Sequence, residues 1–235
     1  MQNLIAGFLC ICLINCGVAS AADDRDDLLA LLNLEADVEQ ALIVHPNPET
    51  IYQASLTAWE KTSGEWTQIF DSMPAVIGRN GMATLNEKRE GDGRTPSGIY
   101  RLGTAFGYEN NIDTKLSYRQ VTENDHWVDD PESTQYNQWI IGPPEAKSFE
   151  NLKRDDDLYK YAVVIEYNTS PIKQGEGSAI FLHVWRAPDK PTAGCVAADE
   201  ANVKRLLNWL DQSRQPVILL NISPKDVQAK ESLER

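Results

Sequence analysis

The chain has 235 residues, 42% of them hydrophobic and 24% charged, with 35 acidic against 22 basic residues and a formal charge of −13. That size and composition supply one large domain with a substantial core, and they exclude a disordered chain, a collagen-like fibre and a disulfide-stapled miniprotein. The acidic balance also excludes broad, sequence-independent nucleic-acid binding, which needs basic surface to displace counterions.

The first 22 residues carry no charged side chain. Leu4 to Val18 is an apolar run, Ala19-Ser20-Ala21 follows as a small-x-small cleavage signal, and Asp23-Asp24 comes straight after. The run is short for a membrane span and suits the core of a signal peptide, so residues 1–22 are predicted to direct export and to be removed. A lipid anchor at Cys16 is the rival reading, with Asn15 an unfavourable residue before a lipidated cysteine. Cleavage removes Cys10, Cys12 and Cys16 and leaves Cys195 as the sole cysteine of a mature chain with no membrane span. A lone thiol in an oxidising compartment is either a reactive group, half of an intermolecular disulfide, or a buried small hydrophobe.

Residues 23–39 are predicted to form a short acidic helix, with Leu28, Leu29, Leu31, Leu32 and Val38 at mixed helical spacing. From residue 40 the pattern turns to strands. Ala41 to Val44 is followed by Gln53 to Glu60 and Glu65 to Phe70, the last two forming a hairpin across a four-residue loop, Lys61-Thr62-Ser63-Gly64. A glycine-rich stretch then runs through Gly78-Arg79-Asn80-Gly81 and Gly91-Asp92-Gly93-Arg94-Thr95-Pro96-Ser97-Gly98. It is turn chemistry and lacks the Gly-Lys-Ser/Thr ending of a phosphate-binding loop.

Residues 103–157 read as irregular, with three prolines and two acidic runs, and an insertion of that length points to a functional loop or lid. Within it Trp127, Tyr136 and Trp139 are candidates either for covering a substrate or for packing the loop. Beyond it, Tyr161 to Tyr167 and Ser178 to Trp185 are predicted strands, Asp199 to Asp211 an amphipathic helix with Val203, Leu206, Leu207 and Leu210 on one stripe, and Val217 to Leu220 a final strand. The expected fold is mainly β with flanking helices, a domain over residues 40–222, and a tail at 223–235.

The chemistry concentrates late in the chain. In Ser178 to Trp185, a period of two places Ile180, Leu182 and Val184 on one face and Phe181, His183 and Trp185 on the other. Twelve residues after His183 comes Cys195, inside Thr192-Ala193-Gly194-Cys195-Val196 and just ahead of the predicted helix. An imidazole, or a helix N-terminus, lowers the pKa of a nearby thiol, and Gly194 permits backbone N–H groups to face a developing oxyanion. The bland alternative for His183 is an interior histidine satisfied by a carbonyl. His45 and His126 lack a comparable setting, and one cysteine with scattered histidines makes no metal-ligand set.

These residues resemble a family. His183, the Thr192-x-Gly194-Cys195-Val196 run and the upstream Thr95-Pro96-Ser97-Gly98 look like the L,D-transpeptidase catalytic (YkuD-type) domain, over roughly residues 40–222. The resemblance implies a β-sandwich-like catalytic domain without cofactor or metal, acting on peptidoglycan stem peptides in the periplasm of a Gram-negative bacterium. Cys195 would be the nucleophile, His183 the general base and acid, Gly194 part of the oxyanion hole, and the Val184 carbonyl the group that orients the histidine ring. Arg186, Thr192, Arg94 and Trp185 would line the substrate cleft.

The chain departs from that pattern at two residues and in a His-to-Cys loop shorter than in most members. Ala193 stands where the family has a second histidine, and Ala197 where it has an arginine. Arg186 is either the replacement anchor for a substrate carboxylate or a solvated loop arginine. The departures suggest a divergent subgroup, one candidate being an enzyme that uses the first rather than the third stem position. Papain-like peptidases fit less well, because their cysteine precedes the histidine. Three readings remain open: a transpeptidase, an L,D-carboxypeptidase or related hydrolase, and a catalytically silent envelope-binding domain.

Overall fold

The computed structural model describes Leu32 and residues 37–222. The expected signal peptide, almost all of the predicted N-terminal helix and the C-terminal tail lie outside these residues. Twelve strands are present: β1 (Gln40–Pro46), β2 (Gln53–Thr62), β3 (Glu65–Val76), β4 (Gly98–Gly107), β5 (Tyr118–Gln120), β6 (Asp125–Val128), β7 (Trp139–Ile141), β8 (Phe149–Asn151), β9 (Tyr161–Ile165), β10 (Phe181–Val184), β11 (Val196–Ala198) and β12 (Val217–Leu220), with one α-helix, α1 (Glu200–Trp209), among residues 37–222.

Eight strands form a closed ring in the order β12-β1-β2-β3-β11-β10-β9-β4, and β4 pairs back to β12. Strand β5 extends beyond β4, in parallel with it. Closure requires alternation, with one set of side chains inside and the other outside. Leu42, Val44, Leu56, Leu102, Val163, Leu182, Val184, Ile218 and Leu220 pack in one buried cluster. Helix α1 contributes Val203, Leu206 and Leu207 to the same cluster. Its N-cap is Asp199, whose carboxylate accepts from the Asn202 N–H at 2.9 Å, satisfying one of the first-turn donors. None of the helices among the described residues is long and apolar enough to cross a membrane.

The structure corrects the sequence reading in three places. The β2–β3 hairpin turns on two residues, Ser63 and Gly64, rather than four, because both adopt positive φ (53° and 88°) and pair Thr62 directly with Glu65. That turn matches the twist of the strands, which therefore run on to its edge. The stretch expected to be irregular contains the second half of β4, then β5, then a three-stranded antiparallel sheet in the order β7-β6-β8. Strands of three or four residues, separated by turns rich in Asp and Pro, are too short to show a period in the sequence. Trp127 and Tyr136 are buried there, and Trp127 forms an edge-on contact with Phe181 at 5.2 Å, so these two rings hold the small sheet to the barrel rather than cover a cleft.

The glycine-rich segment of residues 78–98 packs against the loop that precedes β11. Gly78 forms a parallel bridge with Thr192, and Met82 with Thr95. A Cβ on Gly78 would strike the Gly93 carbonyl oxygen and lie 2.8 Å from the Thr95 nitrogen, both of them backbone atoms that cannot swing aside. Gly78→Ala is therefore expected to lower stability by about 1–3 kcal/mol, as overpacking does. Thermal unfolding followed by circular dichroism measures it, and an unchanged midpoint would refute the tight approach.

Candidate active site

Strand β10 sits between β9 and β11, antiparallel to the first and parallel to the second. Its alternation follows the expected faces: Leu182 and Val184 join the barrel core, and Phe181 joins a second cluster with Trp127, Tyr159, Ala179 and Cys195 on the other side. Leu182 pairs with Val196 and His183 with Ala197. Residue 195 thus arrives one step before β11, beside Phe181 and on the same face as His183.

The backbone of the loop from Thr192 to Cys195 is held from two directions. Thr192 Oγ1 donates to the Cys195 carbonyl at 2.7 Å and accepts from the Gly194 N–H at 3.1 Å. Thr95 Oγ1, wholly buried, accepts from the Gly78 N–H at 2.9 Å and donates to the same Cys195 carbonyl at 3.3 Å. The two threonines of the sequence motifs therefore meet on one oxygen. Gly194 sits in a tight space: a Cβ there would lie 3.0 Å from the Arg94 carbonyl and 3.3 Å from Ile180 Cδ1. Its N–H, expected to serve an oxyanion, is engaged by Thr192 in this conformation.

The His183 ring is buried, with Nδ1 2.8 Å from the Val184 carbonyl. That contact, implied by the family resemblance, fixes the ring with its Nδ1 proton inward. Tyr159 packs edge-on against it, with centroids 5.1 Å apart. Burial pulls the imidazole pKa down to about 4, a shift only partly opposed by the Val184 and Leu158 carbonyls. Burial pushes the Cys195 thiol up to about 12, reinforced by the nearby Glu150 and opposed by the Phe181 N–H, Lys88 and Arg154. The thiol donates to the Ala179 carbonyl at 3.3 Å and receives the Phe181 N–H at 3.4 Å, so its hydrogen bonds are to the β10 approach rather than to His183.

Burial thus favours the neutral thiol and the neutral imidazole at rest, which suits an imidazole acting as base rather than as a standing imidazolium partner. The structure corrects the placing of a helix end at the sulfur, because the three residues of β11 separate Cys195 from Asp199.

Cys195, His183 and Gly194 line a cavity of about 470 Å³. Trp185, Arg186 and Thr192 reach it as expected. Arg186 is exposed and pairs with Asp156 at 3.3 Å. Arg94 does not line it: the side chain is exposed, and what the residue contributes is its backbone carbonyl against Gly194. Sequence reasoning missed Glu90, Asp129, Glu150, Arg154 and Tyr159, all of which line the cavity. Only Tyr159 had a local hint, lying two residues ahead of a predicted strand. No group of three or more His, Cys, Asp or Glu among the described residues is placed to hold a metal.

The model of YkuD, the L,D-transpeptidase catalytic domain, matches residues 52–219. The chain belongs to the L,D-transpeptidase catalytic-domain family. Among solved structures it is similar to Bd1075 of Bdellovibrio bacteriovorus, at 17% identity over 86% of this chain and 56% of that one, with a TM-score of 0.43. It is also similar to the helical cell shape determining protein Pgp2 of Campylobacter jejuni, at 17% identity over 77% of this chain and 47% of that one, with a TM-score of 0.41. The chain thus spans about half the length of these proteins. No curated protein matches it. Within the family pattern, Thr95 and Thr192 fall where backbone fixation is needed, and Ala193 and Ala197 remain its departures.

The buried neutral pair has two consequences. Between pH 6.5 and about 4 the unfolded chain protonates His183 while the folded one resists, so stability is lost as pH falls through that window, by about 3 kcal/mol in total. His183→Asn should flatten that part of the stability–pH curve; denaturant titrations at pH 4.5 and 7 test it, and an equal slope in both proteins would overturn it. In the absence of substrate, alkylation of Cys195 should be slow at neutral pH and rise about tenfold per pH unit beyond pH 9. A plateau near pH 7, read by mass spectrometry of iodoacetamide adducts, would show an ionised thiol instead.

Proposed function

We propose that the chain is a cysteine-dependent acyltransferase of the cell envelope, acting on peptidoglycan stem peptides. The observation that carries this reading is the placing of Cys195 and His183 on one face of adjacent parallel strands, lining one cavity, in a chain of this family. With substrate bound, the thiol turns from the Ala179 carbonyl toward His183. Nε2 accepts its proton as Sγ bonds to the amide carbonyl carbon, so a neutral pair reacts without standing charge. The tetrahedral intermediate collapses to a thioester, the C–N bond breaks, and the imidazolium returns the proton to the departing D-amino acid. An amine from a second stem then displaces the thiol, with His183 again taking and returning a proton.

Backbone N–H groups around residues 193–195 supply the oxyanion stabilisation, a few kcal/mol in comparable sites. For the Gly194 N–H this means release from Thr192 Oγ1 as the intermediate forms. Arg186 and Arg154 line the cavity, share Asp156 as ion-pair partner and leave a net positive charge there, suited to a substrate carboxylate, which an acidic protein overall would otherwise repel. The export signal and a periplasmic location belong to the same reading. If water takes the place of the second amine, the same first half-reaction yields an L,D-carboxypeptidase. Ala193 and Ala197, where the family has histidine and arginine, together with the burial that raises the thiol's pKa, favour a silent binding domain.

Incubating the protein with disaccharide-tetrapeptide muropeptides and following products by mass spectrometry separates these outcomes. Cross-linked dimers are expected with the native protein, and their loss with Cys195→Ala. Removal of the terminal D-residue without dimers would assign the hydrolase, and no Cys195-dependent change with tetrapeptides or pentapeptides would refute the enzyme.

A further inference from the structure

Lys88 lines two cavities. One holds Cys195; the other, of about 340 Å³, lies between the glycine-rich segment, the start of β4 and the loop of residues 166–177. The lysine is buried, its Nζ donating to the Arg89 carbonyl at 2.7 Å and to Asp92 Oδ1 at 2.8 Å. The two spaces thus stand one side chain apart, and the second is within the size range of small-molecule sites. Its far wall is preformed. Asn168 Nδ2 donates to the Lys173 and Gly177 carbonyls, each at 2.9 Å, and Oδ1 accepts the Lys173 N–H at 2.8 Å, closing the loop on itself. Asn137 Nδ2 ties that loop to the turn between β6 and β7, donating to the Tyr167 and Asn168 carbonyls at 3.1 and 2.7 Å.

Thr84, Asn86, Glu166, Thr169 and Ser170 line this second cavity, and among the described residues none of these side chains has a hydrogen-bond or ion-pair partner. Other polar groups of the lining are engaged within the protein: Ser97 Oγ on the Ala83 carbonyl, and the Tyr100 and Tyr167 hydroxyls on the Ser97 and Glu176 carbonyls. Glu166 is half-buried, its N–H held by the Arg101 carbonyl at 2.9 Å. Its carboxylate lies over the bare Cα of Gly103, where a Cβ would strike it. Lys88 pairs with Asp92 at 2.8 Å and Lys173 with Glu176 at 3.7 Å, so both cations of the lining already have anions. The free groups are therefore hydroxyls, one amide and one carboxylate, beside two tyrosine rings packed edge-on at 5.4 Å. Neutral donors and acceptors around a partly apolar floor suit an uncharged ligand rich in hydroxyls and amides.

We propose that this second cavity is a subsite for a sugar of the glycan strand, an N-acetylated amino sugar that enters it while the attached peptide runs past Lys88 to Cys195. The Glu166 carboxylate can accept two neighbouring sugar hydroxyls, which are stronger contacts than neutral pairs. The hydroxyls of Thr84, Thr169 and Ser170 and the Asn86 amide both donate and accept, as the ring oxygens and the acetamido group require. The chain then reads both parts of its polymer and prefers stems still attached to sugar over released peptides. This rests on the stem-peptide reading of the first cavity, and the test separates the two.

The probes are a disaccharide-tetrapeptide and the same tetrapeptide without sugar. Affinities are measured by calorimetry on Cys195→Ala protein, and kcat/KM on protein with the native cysteine. The disaccharide is expected to improve both by at least about tenfold, the size of one hydrogen bond to a charged group. Glu166→Ala, which removes the carboxylate, and Thr169→Trp, which fills the cavity, should each bring that ratio to within about twofold. Hydrogen exchange read by mass spectrometry needs no change in the cavity and decides if a variant fails to fold: the disaccharide-tetrapeptide should slow exchange in residues 166–177, and the tetrapeptide should not. Equal handling of both probes, or a sugar preference that survives both variants and leaves that exchange unchanged, overturns the subsite while leaving the enzyme intact. Sugar-dependent binding without turnover keeps the subsite and refutes the proposed activity. Failure to bind or turn over either probe refutes both.

Discussion

The site depends on a single carbonyl oxygen. Cys195 O receives the hydroxyl of Thr192, three residues back, and the hydroxyl of Thr95, a hundred residues away, and through Thr95 it is linked to the Gly78 N–H. These bonds lock a glycine-rich segment, the loop from Thr192 to Cys195 and the start of β11 into one unit. Because the Cys195 backbone is immobilised, the sulfur has only its side-chain torsion left to choose between the Ala179 carbonyl and the histidine. Glycine at 194 and at 78 is what lets three backbones approach closely enough for this to happen.

Around that unit the barrel separates two kinds of packing. On one side of β10 the side chains are aliphatic and fill the interior; on the other they are Phe181 and His183, covered by Tyr159 and the small sheet. Covering a titratable pair this way removes water from it and drives both members to their neutral forms. The same exclusion strengthens any charge that later develops between them, so a resting state that looks unreactive is consistent with an environment that stabilises the intermediate. The wall facing it carries Glu90 and Glu150, each held by tyrosine or serine hydroxyls.

Much of this was legible in the sequence because it follows simple periods. The alternation in Ser178 to Trp185 assigned each side chain of β10 to its face, and the stripe of Val203, Leu206 and Leu207 placed α1 within one or two residues of its ends. His183, Gly194 and Cys195 were identifiable because each is a chemically distinctive residue in a short local motif. What escaped was long-range. Glu90, Asp129 and Glu150 are ordinary acidic residues in an acidic chain, and only the register of β6 with β8 and the hydroxyls of Tyr136 and Ser178 bring them together. Arg94 misled for a related reason: the motif needs its backbone in place, while its guanidinium faces away from the cavity.

Ring closure has a further effect on how the molecule meets others. Among the described residues the ring does not cover every strand edge in full: β3 runs from Glu65 to Val76 but meets β11 only at Ala75 and Val76, and β5, β7 and β8 are edge strands of three residues. β5 carries a charged arginine at its centre, and β7 and β8 belong to the separate small sheet, from which Glu150 lines the cavity. Three-residue edges give another extended chain almost nothing to zip onto, and β3 carries Glu65, Asp71 and Pro74, residues that blunt an edge. A flexible peptide polymer lying over this surface must therefore be gripped by side chains and loops, one residue at a time, and can be released one residue at a time.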